Sequence, residues 1–237
     1  MKTLSFRSFW RSISSLFFPR PCVLCGRVLP LGEDYICLEC LARLPLSHLW
    51  ERSSNHLTEL FAGRIPIKSA SSLLKFEQGN SAQSLIHQFK YRGNRHLAYK
   101  LGRIYGFHLA RSPFYRDIDL VIPVPLHTLR RLRRGYNQSE YFARGVAEEL
   151  SARVDSRSVV RIRRTNEQAL RRGRSQRWAN VAGAFRVADS SALLGRRILV
   201  VDDVVTTGST IEACVDSIVR EIPSARIWIG CCACVGV

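Results

Sequence analysis

Several things missing from this 237-residue chain narrow its identity before any motif is read. No stretch approaches the ~20 uninterrupted apolar residues of a transmembrane helix. No G-x-x-x-x-G-K-[ST] occurs, which removes a Walker-type nucleotide loop. Lysine is scarce, found only at Lys2, Lys68, Lys75, Lys90 and Lys100, so the 36 cationic residues include 31 arginines. Carboxylates are also few, 19 in all, which leaves a formal net charge of +17. Arginine's rigid fork suits phosphate and carboxylate better than lysine's point charge. Polyanionic partners are therefore expected, single-stranded DNA among them, with GC-rich coding as the competing explanation of the bias.

No small-residue cleavage site follows the apolar, aromatic start of the chain, and Arg7 and Arg11 interrupt it, so export is not expected and a cytoplasmic location is. Phe6, Phe9, Trp10, Ile13, Leu16 and Phe17 share one helical face. Residues 1–21 thus read as an amphipathic segment that docks on the protein's own surface, with peripheral membrane contact as the alternative.

Hydrophobic residues make up 46% of the chain, enough for one α/β domain and a small module. The module comes first. Cys22, Cys25, Cys37 and Cys40 form C-x2-C-x11-C-x2-C, two knuckles that can complete a tetrahedral Zn²⁺ site over residues 22–44. Two disulfides would need an oxidising compartment, which nothing in the chain supports. With all four positions filled by protein, such a zinc is structural. Residues 45–66 show no usable pattern and read as a connector, with His48 and His56 as surface residues.

From residue 67 to 237, strands and helices alternate, the pattern of a mainly parallel sheet flanked by helices. Strands are expected over Lys68–Phe76, Asp119–Pro125, Val159–Arg163, Phe185–Ala188 and Ala225–Val235, and helices over Ser84–Tyr91, Leu97–Ala110 and Ser139–Leu150. Pro123 and Pro125 end their strand and open a loop, Leu126–Gln138, that carries Arg130, Arg131, Arg133 and Arg134. After a strand of an α/β sheet, such a loop lies at the carboxyl edge, where ligands bind. A second basic run, Arg163 to Arg177, is interspersed with amides and reads either as a solvated face or as a ligand-covering loop. Cys231, Cys232 and Cys234 read as core residues, the first two on opposite faces of a strand.

The most informative stretch is Ile198–Thr210. An apolar β-branched run ends in Asp202-Asp203, followed by Val204-Val205-Thr206-Thr207-Gly208-Ser209-Thr210. Ile211, Cys214, Val215, Ile218 and Val219 then keep helical spacing. Backbone N–H groups at the start of that helix would face an anion, and two adjacent carboxylates beside it need hydroxyls or a magnesium ion for partners. The competing reading is an ordinary helix N-cap at Thr206 or Ser209, which explains neither the acidic pair nor the glycine.

This pattern resembles the phosphoribosyl diphosphate (PRPP) loop of type I phosphoribosyltransferases. With the paired C-x-x-C knuckles, Lys90-Tyr91-Arg92-Gly93 and Pro123-Val124-Pro125…Arg134-Gly135-Tyr136-Asn137-Gln138, the chain resembles the ComF family (ComFC/GntX-like), a zinc ribbon followed by a type I phosphoribosyltransferase-like fold. The resemblance implies PRPP, or another ribose 5-phosphate, bound with Mg²⁺. Asp202 and Asp203 would hold the ribose hydroxyls, and residues 204–210 the 5′-phosphate. Pro125, Leu126, Lys90, Arg134, Asn137 and Gln138 would supply the pyrophosphate half. Asp202, Asp203 and Arg134 are the implied catalytic set. The family is associated with DNA uptake; the chain has neither an N-terminal catalytic cysteine nor a glutaminase domain, which disfavours glutamine amidotransfer. The acceptor is not legible.

Overall fold

The computed structural model describes residues 20–91, 93–126, 135–163 and 183–236. Residues 1–19 of the amphipathic segment, Arg92, Arg130, Arg131, Arg133, Arg134 and the arginines from Arg164 to Arg177 lie outside the described residues.

Two short helices, α1 (Leu38–Ala42) and α2 (His56–Glu59), precede the sheet, and a 3-10 turn lies between them at Leu49–Glu51. The sheet then begins with β1 (Ser69–Phe76), followed by α3 (Ser81–Tyr91), α4 (Arg95–Arg111) and β2 (Leu120–Pro123). Next come α5 (Gln138–Leu150), β3 (Arg153–Val154), β4 (Val159–Arg161) and β5 (Phe185–Val187). Last are β6 (Arg197–Val205), α6 (Ser209–Glu221) and β7 (Arg226–Val235). Five strands form one sheet in the order β1-β7-β6-β2-β3, every neighbouring pair parallel. β4 and β5 pair antiparallel in a separate ribbon.

Strand β6 is central, and its side chains alternate between two cores. Ile198 and Val200 enter the core under α6, while Leu199 and Val201 enter the one under α4 and α5. Cys231 and Cys232 divide in the same way, each buried, on opposite faces. Helices α4 and α5 meet where Gly102 faces the Phe142 carbonyl and Gly145 faces that of Tyr99. A Cβ at either glycine would collide with backbone, so this contact fixes how closely α5 approaches, and α5 carries part of the site described below.

The structure corrects several expected boundaries. β6 continues through Asp202 and Asp203 to Val205, so the carboxylates sit within the last part of the strand, and α6 opens at Ser209. β2 stops at Pro123, although the Val124 N–H still donates to the Val201 carbonyl at 2.8 Å. α4 begins at Arg95 because the Asn94 side chain caps it through the Leu97 N–H. The stretch read as a connector is part of the fold: Trp50, Leu57, Phe61 and Ile65 are buried, and Leu46 bridges to Leu74 of β1. Its buried Asn55 caps α2 and donates to the Leu49 and Ala70 carbonyls. His48 and His56 are exposed, as expected. No helix among the described residues is long and apolar enough to cross a membrane.

Candidate functional site

Strands β2 and β6 are neighbours whose onward connections leave in opposite directions, β2 toward β3 and β6 toward β7. A parallel sheet opens a crevice at the carboxyl ends of such a strand pair. The residues after both strands, Pro125-Leu126 and Thr206–Gly208, therefore leave the same edge of the sheet, just beyond Asp202 and Asp203.

Two carboxylates in one partly buried place repel each other unless cations or donors surround them. Asp203 Oδ2 lies 3.0 Å from Lys90 Nζ, a pair largely screened from solvent. The hydrogen-bond donors to Asp202 among the described residues are neutral: Ser139 Oγ donates to its Oδ1 at 3.1 Å, and the Asp203 N–H at 2.8 Å. Burial first, and the neighbouring Asp203 carboxylate second, push Asp202 up to about 7. Such a group gains from a bound cation or from ribose-type hydroxyls. The hard oxygens of the pair fit Mg²⁺, which takes one or two carboxylates and completes its shell with water and phosphate oxygens.

Lys90 reaches this pair from the end of α3. Gln138 Nε2 donates to the Lys90 carbonyl at 3.3 Å, joining the end of α3 to the start of α5. Asn137 caps α5 through the Ser139 N–H and donates to the Val124 carbonyl at 3.2 Å. Both amides are buried, so in this structure they tie the start of α5 to the end of α3 and to Val124 after β2. Sequence reasoning passed over Ser139; its position directly after Asn137-Gln138, at the start of a helix, was the available signal.

The loop after β6 has no side-chain cap. The N-cap is Gly208 in the left-handed region, φ 76°, with no side-chain cap hydrogen bond, so neither Thr206 nor Ser209 is the ordinary cap. The N–H groups of the first turn and the helix dipole are what an anion requires. Thr207 Oγ1 and Ser209 Oγ lie 3.1 Å apart at the mouth, Thr206 is exposed, and Thr210 follows on the first turn. Val205 is buried and Val204 partly so, on opposite cores, so their side chains anchor the loop. Beneath Gly208 lies Phe61, and an added Cβ would meet its ring at 2.7 Å. Arg64, from the same turn as Phe61, holds Glu212 of α6 in a two-pronged pair. Nothing in the sequence pointed to Phe61, Arg64 or Glu212, because 148 residues separate the last two.

The cysteines form a second centre. The Sγ atoms of Cys22, Cys25, Cys37 and Cys40 lie within 4.8 Å of one another. Thiolates around a tetrahedral zinc lie about 3.8 Å apart, given Zn–S bonds of about 2.3 Å; Cys25 and Cys37 Sγ are at 3.7 Å. All eight cysteines are free, so the pairs are not disulfides. Burial opposes ionisation of Cys22, but backbone N–H groups of Cys25, Cys37 and Leu24 outweigh it and draw the thiol down to about 6. Cys40 goes the other way, to about 12, through burial first and then hydrogen bonds to the other thiols. A cation is what would ionise all four together.

Of the residues that the resemblance assigns to the pyrophosphate, Arg134 lies outside the described residues, while Lys90 pairs with Asp203 and Asn137 and Gln138 bond the Val124 and Lys90 carbonyls.

Comparison with known proteins agrees with this architecture. Residues 136–235 match the family model described as "Phosphoribosyl transferase domain". The DNA utilization protein YhgH of Escherichia coli O6:H1 is 34% identical over 232 residues, covering 91% of this chain and 98% of that relative. Its namesake in Salmonella typhimurium is 31% identical over 151 residues, covering 62% of this chain and 65% of that relative. Competence protein F of Haemophilus influenzae is 30% identical over 152 residues, 61% of this chain and 65% of that relative. The chain thus belongs to the ComF family, in which a four-cysteine cluster that fits a zinc ribbon precedes a phosphoribosyl transferase domain.

Proposed function

We propose that the protein binds PRPP with Mg²⁺ at the carboxyl edge of β6 and transfers its phosphoribosyl group to an acceptor, as a cytoplasmic component of DNA uptake or use. The observation that carries this reading is the acidic pair Asp202-Asp203, whose second member stands five residues before Gly208, the N-cap that opens α6 without a side-chain cap. In this reading the N–H groups from Thr207 to Thr210 hold the 5′-phosphate, and Asp202 and Asp203 accept hydrogen bonds from the ribose hydroxyls. Lys90 and Arg134 act on the pyrophosphate. In transfer, the bond from the anomeric carbon to the pyrophosphate oxygen breaks as the bond to the acceptor forms. Positive charge grows on the sugar, which Asp202 and Asp203 stabilise, and negative charge grows on the leaving group, which the cationic side chains stabilise. Bound Mg²⁺ supplies Lewis-acid stabilisation of that leaving group. Cys22, Cys25, Cys37 and Cys40 hold a structural zinc that makes the N-terminal module rigid.

The test is calorimetric binding of PRPP in Mg²⁺, followed by pyrophosphate release across a panel of bases and amines. Binding that disappears in Asp202→Asn/Asp203→Asn, with turnover for some acceptor, is the expected result. Unchanged affinity in that double variant would reject the site.

A second reading, supported by the net charge of +17 and by the relatives' DNA-related names, is a non-catalytic PRPP or phosphate sensor that associates with nucleic acid. It requires PRPP binding without turnover, and single-stranded DNA binding that weakens steeply with salt.

A further inference from the structure

Glu212 is an awkward neighbour for a phosphate. It lies in the first turn of α6, three residues after Ser209, and is 4% exposed. Its negative charge would take up the positive helix end that the phosphate reading needs. Arg64 counters it: Nε donates to Glu212 Oε1 at 2.9 Å, Nη2 donates to Oε2, and Nη1 donates to the Leu60 carbonyl at 2.8 Å. Leu60 and Phe61, from the same turn, lie against Gly208. One short segment ahead of β1 thus touches both the N-cap of α6 and the buried carboxylate in its first turn.

We propose that Arg64 is a positioning residue of the phosphate loop, cancelling the charge of Glu212 so that a phosphomonoester dianion meets the α6 N-terminus without a competing carboxylate. The pair also ties the turn that holds Phe61 under Gly208 to α6, so loop shape and loop charge are set together. This inference rests on the reading of the loop as the 5′-phosphate site.

The experiment measures affinity for ribose 5-phosphate and for PRPP with Mg²⁺ at neutral pH in wild type, Arg64→Met, Arg64→Lys, Glu212→Gln and the Arg64→Met/Glu212→Gln double variant, with an unfolding midpoint for each. Arg64→Met is expected to weaken both ligands about tenfold, because a buried carboxylate loses its partner beside the anion. The double variant is expected to return to within about threefold of wild type, since charge and counter-charge leave together. A role in shape alone would leave it at least as weak as the single variant. Arg64→Lys keeps the charge and should retain affinity within about threefold; a tenfold loss at an unchanged midpoint would overturn the proposal even if Arg64→Met fails to fold. Wild-type affinity in Arg64→Met, or no recovery in the double variant, would also overturn it. Absence of ribose 5-phosphate and PRPP binding in the wild type would instead remove the phosphate reading, and this inference with it.

Discussion

Asp202 carries a stability cost that can be measured without any ligand. Its carboxyl is raised from an ordinary 3.8 to about 7, by burial and then by Asp203. Between those values the folded protein keeps a proton that the unfolded chain has released, so stability falls as pH rises through that window. The full displacement corresponds to about 4 kcal/mol, an upper limit because Asp203 shares the titration. From pH 5 to pH 7 alone the loss is about 2–3 kcal/mol, or roughly 5–10 °C in midpoint for a domain of this size. Asp202→Asn removes the titrating group and keeps an acceptor for Ser139 Oγ. Thermal unfolding followed by circular dichroism at several pH values between 4.5 and 8 should therefore show a steeper decline in wild type than in Asp202→Asn. The two curves should converge at the acidic end, where wild-type Asp202 is also neutral. Parallel curves across the range would refute the raised value, and with it the argument that this carboxylate is in want of a cation or hydroxyl partner.

Gly208→Ala should destabilise the protein by about 2 kcal/mol or more in a urea titration, because φ 76° disfavours a Cβ and the Phe61 ring stands 2.7 Å from where that atom would lie. Zinc analysis should give one equivalent per chain in wild type and a large loss in Cys37→Ser, whose Sγ sits 3.7 Å from that of Cys25. Because the thiols must be deprotonated to bind, zinc retention against a chelator should fall as the pH is lowered.

Most of the layered fold was legible because its signals are local. Runs such as Leu199-Val200-Val201 and helices with apolar residues every three or four positions show in any short window, and their alternation implies a parallel sheet. The errors fell where local and tertiary preferences part. The strand was expected to end at Asp202-Asp203, since carboxylates are poor strand residues, yet pairing with β7 at Val204↔Ala233 and Val205↔Cys234 carries β6 two residues past them. The stretch from 45 to 66 has no periodicity, because its apolar residues serve different faces: Trp50 packs with α4 while Leu57, Phe61 and Ile65 join the core under α6. Burial of that kind leaves no repeat to read. Glu212 gave no local signal for a related reason: an acidic residue in an amphipathic helix is ordinarily solvent-facing, and here its pairing with Arg64 makes burial tolerable.

By itself the sequence determined the chemistry available at each centre: four thiols at knuckle spacing, and an acidic pair ahead of a glycine turn and a helix. These are contiguous motifs whose geometry is set by a few neighbouring backbone angles. Tertiary structure alone decided which distant groups complete them. Lys90 meets Asp203 and Ser139 meets Asp202 because α3 ends and α5 begins beside the carboxyl end of β6. Arg64 reaches Glu212 because the segment before β1 folds back beneath the last helix. Such pairings depend on how sheet and helices pack, which no spacing along the chain encodes.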